Sequence, residues 1–249
     1  MAPKVYDCFT FFNELDMLRL RFGELASYVS YFVIVEAKQT FTGNPKPLYL
    51  DLVRDEPWYR ELEDKIIRVV IDLPGDMTTW ERETCQRNAI MNGLGHARSN
   101  DVIIISDVDE IPRPGLFYWE TPVQLDVTQY FWNFHWEVPA HCNQGARPVV
   151  TKLKDITTPQ DMRAQIMPRI EYGGWHFSFF GTPEDTIHKI ESFAHTEVDL
   201  PEFKSSKSIR DGEEYGIDPF KRFPLKYSEI DETYPKWVQD NAGSGILGL

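Results

Sequence analysis

Along the first 115 residues the apolar positions follow two alternating rhythms. "KVYDCFTFF" (4–12), "YFVIVEA" (31–37), "IIRVVIDL" (66–73) and "DVIIIS" (101–106) are short apolar runs of strand length. Between them, "NELDMLRLRFGELASYV" (13–29) places Leu15, Leu18, Phe22 and Leu25 on one helical stripe, and "WERETCQRNAIMNGLGHA" (80–97) predicts a second long helix. "PWYRELEDK" (57–65) predicts a short helix, and the Gly and Pro of "QTFTGNPKPL" (39–48) a loop. Strands alternating with helices predict an α/β fold, a mostly parallel sheet flanked by helices. In such sheets ligands sit beyond the carboxyl ends of the strands.

After residue 115 the rhythm changes. Aromatic segments such as "QYFWNFHW" and "MPRIEYGGWHFSFFG" predict added strands and loops around a site. "TPEDTIHKIESF" (182–193) opens with Pro and acids and carries Ile187 and Ile190, which predicts a helix. From about residue 204 the chain is polar, and "NAGSGILGL" (241–249) reads as a flexible tail.

Composition narrows the function classes. In 249 residues the apolar share is 42% and the aromatic share 14%, enough for a substantial core. A net charge of −13 argues against nucleic acid as partner and against an anionic membrane surface, since both need clustered Lys and Arg. Cys8, Cys85 and Cys142 form no zinc spacing and no disulfide framework, which points to a reducing compartment. "MAPKVYDCFTFF" shows neither a signal peptide nor a membrane span, so the expectation is a cytoplasmic chain.

One stretch carries chemistry. "DVIIISDVDEIPRPG" (101–115) runs a buried strand into Asp107, Asp109 and Glu110. Carboxylates crowded at a strand end repel one another and resist desolvation. A hard divalent cation removes that cost: Mg²⁺ or Mn²⁺ takes one or two carboxylates, keeps waters and shares diphosphate oxygens with a substrate. Asp107 and Asp109 are the expected metal ligands. An EF-hand would need an oxygen ligand and then Gly where Ile111 and Pro112 stand.

Several long blocks resemble one family. "YDCFTFFNELDML", "VIVEAKQTFTGNPKPL", "WERETCQRN", "IIISDVDEIPR" and "GGWHFSFFG" are similar to glycosyltransferase family 17 over roughly residues 5–195. The resemblance implies a GT-A-like fold over residues 1–240. Residues 1–115 would be the nucleotide-sugar half, and 116–240 an acceptor-side extension. It also implies Mn²⁺ (or Mg²⁺), a UDP-sugar donor (UDP-GlcNAc in the best-known member) and inverting transfer to a glycan acceptor. Two competing functions are a non-catalytic sugar- or nucleotide-binding module and a metal-dependent phosphoesterase.

A nucleotide sugar needs a polar edge and a wall for its base, a carboxylate for its ribose and cations for its diphosphate. Asn13 either contacts the base or caps the first helix. Glu36 ends the second strand and is expected on ribose or uracil, with a salt bridge to Lys38 or Arg87 as the alternative. In enzymes of the implied fold the helix before the acidic stretch faces the nucleotide, which nominates Arg87 and Asn88. Lys46 and Lys189 are further phosphate candidates. Trp175, between glycines, is a candidate sugar wall against the alternative of a core residue. The same resemblance offers His176 as a metal ligand, with His195 as its rival.

Inversion also needs a base on the acceptor hydroxyl. Glu184 and Asp185 open a helix after a Gly-containing loop, as in many inverting enzymes of that fold. Glu184 is preferred, because its "PE" pair matches the family. The alternative is that both acids serve that helix end. Glu171 and Glu137 are outside candidates.

Overall fold

The computed structural model describes residues 2–143, 145 and 147–246. Four strands form its parallel half: β1 (Val5–Phe11), β2 (Tyr31–Ala37), β3 (Ile66–Ile71) and β4 (Val102–Asp107). β1 lies between β2 and β4, and β3 extends the sheet beyond β2, all parallel. These are the four strands that the apolar runs predicted. Helices α1 (Leu15–Leu25), α2 (Pro57–Arg60) and α3 (Thr79–Asn88) link them. The helix expected over 80–97 stops at Asn88 and continues as a 3-10 turn, Ala89–Gly93.

Alternation along the strands divides the core between two faces. Phe9, Phe11, Phe32, Ile34 and Ile104 pack with Leu18, Phe22 and Leu25 of α1. Tyr6, Cys8, Val33, Val35, Ile103 and Ile105 pack with Ile90 and Leu94 behind α3. Each fully buried Phe or Ile stabilises by roughly 1.5–3 kcal/mol.

The second half is mixed rather than parallel, which corrects the expectation of a mostly parallel sheet. Its strands are β5 (Glu110–Pro112), β6 (Val123–Phe131), β7 (Trp136–Glu137), β8 (Val149–Lys152), β9 (Arg169–Ser178) and β10 (Lys226–Tyr227). β8 inserts antiparallel between β4 and β6, and the order is β10-β7-β6-β8-β4-β1-β2-β3. β9 pairs parallel with β6 and antiparallel with β5. The cause is connection length. A parallel return needs a crossover of a dozen or more residues, usually helical, and the described residues between β6, β7 and β8 form no α-helix.

The polar C-terminal third is anchored. Helices α4 (Pro159–Ala164) and α5 (Pro183–Ser192) precede α6 (Ser206–Tyr215) and α7 (Lys236–Asp240). Trp237 lies over Gly23 of α1, and its backbone N–H donates to Glu24 at 2.9 Å. Trp237 thereby packs against the hydrophobic cluster that α1 helps to form. Of the expected tail, residues 241–246 form turns, and 247–249 lie outside the described residues. Cys8, Cys85 and Cys142 are unpaired among the described residues. No helix of the described residues is long and apolar enough to cross a membrane.

Candidate functional site

β4 ends at Asp107, and the chain turns at once into β5, so Asp107, Val108 and Asp109 stand at the carboxyl end of an interior strand. That turn is held from beneath. Arg21, fully buried, is bound by Asp7 through two hydrogen bonds of 2.7 and 2.6 Å. Its Nη1 donates to the carbonyls of Asp107 (2.8 Å), Val108 (3.1 Å) and Glu110 (2.8 Å), and its Nη2 to Ser106 Oγ (2.6 Å). A planar, permanently charged fork is the side chain suited to several oxygens at once. The sequence carried a signal for this: Arg21 interrupts the apolar stripe of Leu18, Phe22 and Leu25.

The β5–β9 pairing sets Glu110 opposite His176, and Phe177 N–H donates to Asp109 O at 2.9 Å. Gly174 makes this register possible. A Cβ there would sit 2.3 Å from the Ile111 carbonyl oxygen. His176 Nε2 consequently lies 3.5 Å from Asp109 Oδ1. Lys189 reaches over from α5 to Asp109 Oδ2 at 2.9 Å. Burial opposes ionisation of Asp109, yet Lys189 and then His176 outweigh it and hold the carboxyl well below its usual range. The same proximity raises His176, against the effect of its burial.

Asp107 has different neighbours. Thr10 Oγ1 donates to it at 3.1 Å, Arg87 Nη2 at 3.0 Å and Arg163 Nη2 at 3.2 Å. Arg163, from α4, also forks onto Glu110, with one bond of 2.9 Å. Burial again works against the charge of Asp107, and Arg163 followed by Arg87 overcomes it, keeping the carboxyl well below the ordinary value. Thr158 starts α4 by accepting from Asp161 N–H, and Pro159 sits at its first turn, which fixes where Arg163 emerges. Sequence patterning marks that helix start but says nothing about the partner of Arg163.

These groups line a cleft of about 700 Å³ built from both halves of the chain. Glu14, Lys46, Trp80 and Glu83 from the first half and Gln129, Phe179, His195 and Arg222 from the second are among the other lining residues. Gln86 of α3 seals the floor, donating to the carbonyls of Val35 (2.9 Å) and Phe11 (3.3 Å) at the ends of β2 and β1. His195 shares a 2.7 Å hydrogen bond with Glu197 and stands edge-on to Trp80.

Of the expected site residues the structure brings Lys46, Arg87, Asp107, Asp109, His176, Lys189 and His195 to the cleft. The remaining ones do not line it. Glu36 does not line the cleft. It is fully buried and accepts from Lys46 (3.4 Å), Arg68 (3.2 Å) and Tyr49 N–H, because a desolvated carboxylate needs nearby cations. The salt-bridge alternative holds with Lys46 and Arg68 in place of Lys38 or Arg87. Asn88 accepts from Gln160 N–H at 2.9 Å and so braces α4. Asn13 neither lines the cleft nor caps α1 through its side chain. Trp175 is a core residue, 2% exposed, with Nε1 donating to the Thr233 carbonyl and Arg113 against its ring.

Glu184 and Asp185 are exposed and do not line the cleft. Asp185 forms a capping box with Thr182, accepting from its N–H at 2.8 Å and Oγ1 at 2.7 Å. The helix-end alternative therefore accounts for Asp185. His195 is paired with Glu197, whereas His176 adjoins Asp109.

Asp109 and His176 suit a divalent cation as two adjoining ligands. Mg²⁺ and Mn²⁺ draw their remaining ligands from waters and substrate phosphates. His176 Nδ1 is buried without a hydrogen-bond partner among the described residues. Those residues converge no group of three or more His, Cys, Asp and Glu side chains. Both carboxylate oxygens of Asp107 face guanidiniums instead.

The chain is similar to beta-1,4-mannosyl-glycoprotein 4-beta-N-acetylglucosaminyltransferase of Homo sapiens, at 25% identity over 80% of this chain and 44% of the relative. The Mus musculus relative of the same name is 26% identical over the same shares. The chain thus spans about half the length of the curated relatives it matches. The family model for glycosyltransferase family 17 matches residues 1–235, the acidic turn and the cleft included. With nearly its whole length matched, the chain belongs to glycosyltransferase family 17.

Proposed function

We propose that this chain is a UDP-sugar-dependent, inverting glycosyltransferase that moves a sugar, in the first instance GlcNAc, to a glycan hydroxyl. One observation carries this: two carboxylates at the end of β4 face a cleft that also holds Arg87, Arg163, Lys189 and His176. A nucleoside diphosphate sugar needs a concentration of cations beside a carboxylate-held metal. Membership of the family and the names of the relatives support the same conclusion. The catalytic unit spans residues 1–240; residues 1–115 supply most of the donor side, and Arg163, His176 and Lys189 reach it from the second half.

Asp109 and His176 would hold Mn²⁺ or Mg²⁺, which when bound supplies charge stabilisation to the leaving diphosphate. Arg87 and Arg163 fix Asp107 and add positive potential at the same place. Lys189 is the cation paired with Asp109. Trp80, exposed at the cleft, offers a face to a ring. The proton lost by the acceptor hydroxyl must pass to a basic group in the cleft. Of the cleft carboxylates, Glu83 is paired with Arg87 at 2.9 Å, and Asp107, Asp109 and Glu110 are held by Arg or Lys. Glu14, 3.8 Å from Lys189, and Glu197, beside His195, are the two left to accept it.

Incubation with UDP-GlcNAc, Mn²⁺ and a mannose-terminated glycan tests the proposal. UDP release together with a glycan one GlcNAc heavier is the expected result. Release of inorganic phosphate would indicate a phosphoesterase, and tight UDP binding without either product a binding module. Asp109→Asn should abolish Mn²⁺-dependent UDP binding and leave the fold intact.

A further inference from the structure

The carboxylate best placed to take a divalent cation is already paired with a lysine. Asp109 is 6% exposed, and Lys189 Nζ lies 2.9 Å from its Oδ2. The other close group on that carboxylate, His176, is at 3.5 Å. A buried carboxylate needs a counter-charge in every state of the protein, because desolvation penalises the bare anion heavily. An ammonium and a divalent cation are two ways of meeting the same need, and they repel each other at one oxygen pair.

Two other cations of the cleft are less free to move. Arg163 is forked onto Glu110 and also bound to Asp107, and Arg87 is bound to Asp107 and Glu83. Among the described residues Lys189 has a single hydrogen bond, to Asp109, on a flexible four-carbon stem. Its ammonium sits over the Phe179 ring at 5.3 Å, and Glu14 is a second anion 3.8 Å away.

We propose that Lys189 is a placeholder cation. Its ammonium neutralises Asp109 until metal and donor arrive, then moves from Asp109 to the donor diphosphate. This rests on the donor assigned above. It makes binding of the metal and of the diphosphate mutually dependent: the diphosphate draws the lysine away, which exposes Asp109 to the metal. Such coupling is reciprocal between the two ligands.

The test is Mn²⁺ binding without any sugar donor, followed by free Mn²⁺ in solution, for the native chain, Lys189→Met and Lys189→Arg. Lys189→Gln takes the place of Lys189→Met if the latter does not fold. Lys189→Met should bind Mn²⁺ at least about tenfold more tightly than the native chain, while Lys189→Arg stays near native. Saturating UDP should shrink the gap between native and Lys189→Met to about threefold or less. Equal Mn²⁺ affinity in native and Lys189→Met without UDP, with UDP still tightening both, would overturn the placeholder and leave the donor assignment standing. Absence of Mn²⁺ binding in the presence of UDP would overturn both.

Discussion

Arg21 and Asp107 stand 86 residues apart, and the guanidinium of one holds the backbone carbonyl of the other at 2.8 Å. The interaction joins α1 to the turn that presents the acidic side chains. It also spends the charge of Asp7, which is fully buried beneath the same guanidinium. The acidic turn therefore owes its shape to a buried ion pair as well as to β4.

Removing that support should be costly. Arg21→Met is expected to destabilise by about 3–5 kcal/mol in chemical denaturation, since it strands Asp7 as an uncompensated buried charge. The double variant Asp7→Asn with Arg21→Met should recover part of the loss. A loss below about 1 kcal/mol for Arg21→Met alone would contradict this account.

Glu184 and Asp185 separate helix capping from catalysis. Glu184→Gln and Asp185→Asn should both transfer sugar within a few-fold of the native rate. Asp185→Asn should lower stability by about 1 kcal/mol through the capping box, as read from thermal melts. A transfer rate about a hundredfold lower in Glu184→Gln would return that residue to the role of base.

On the proposed function, Glu14 and Glu197 are the candidates for the proton acceptor. Either Glu14→Gln or Glu197→Gln should reduce kcat by about a hundredfold or more, with UDP affinity kept. Native turnover in both variants would place the base outside the cleft carboxylates.

Asp101 gives a pH signature away from the site. Burial raises its pKa, but N–H donors from Arg98 (2.8 Å) and Lys4 (3.0 Å) outweigh that and lower it below 3.8. A lowered folded-state pKa means stability that is present above the unfolded value and lost as pH falls through the folded one. Asp101→Asn should cost about 1–3 kcal/mol at pH 7. The gap to the native chain should persist down to about pH 4 and close only below it. A gap that closes between pH 5 and 7 would rule this out.

The sequence by itself determined the local elements. β1, β2 and β4 were legible because burial on both faces demands continuous apolar runs, the partly exposed edge strand β3 because of its β-branched run, and α5 because Pro183 with its acidic first turn and Ile190 mark a start and a face. The acidic turn was legible for a related reason, since crowded carboxylates after a buried strand are unusual enough to require an explanation.

Only the tertiary structure decided what each charge meets. Asp107 finds Arg163 across 56 residues, and Asp109 finds Lys189 across 80. Glu36 and Asp109 both look like ligand-binding acids in sequence, yet one is consumed by Lys46 and Arg68 and the other faces the cleft. Trp175 and Trp80 differ in the same way, one packed in the core and the other at the rim. The physical reason is that periodicity, caps and turns act over a few residues of chain, whereas a desolvated charge is satisfied by whichever group the fold brings within about 3 Å.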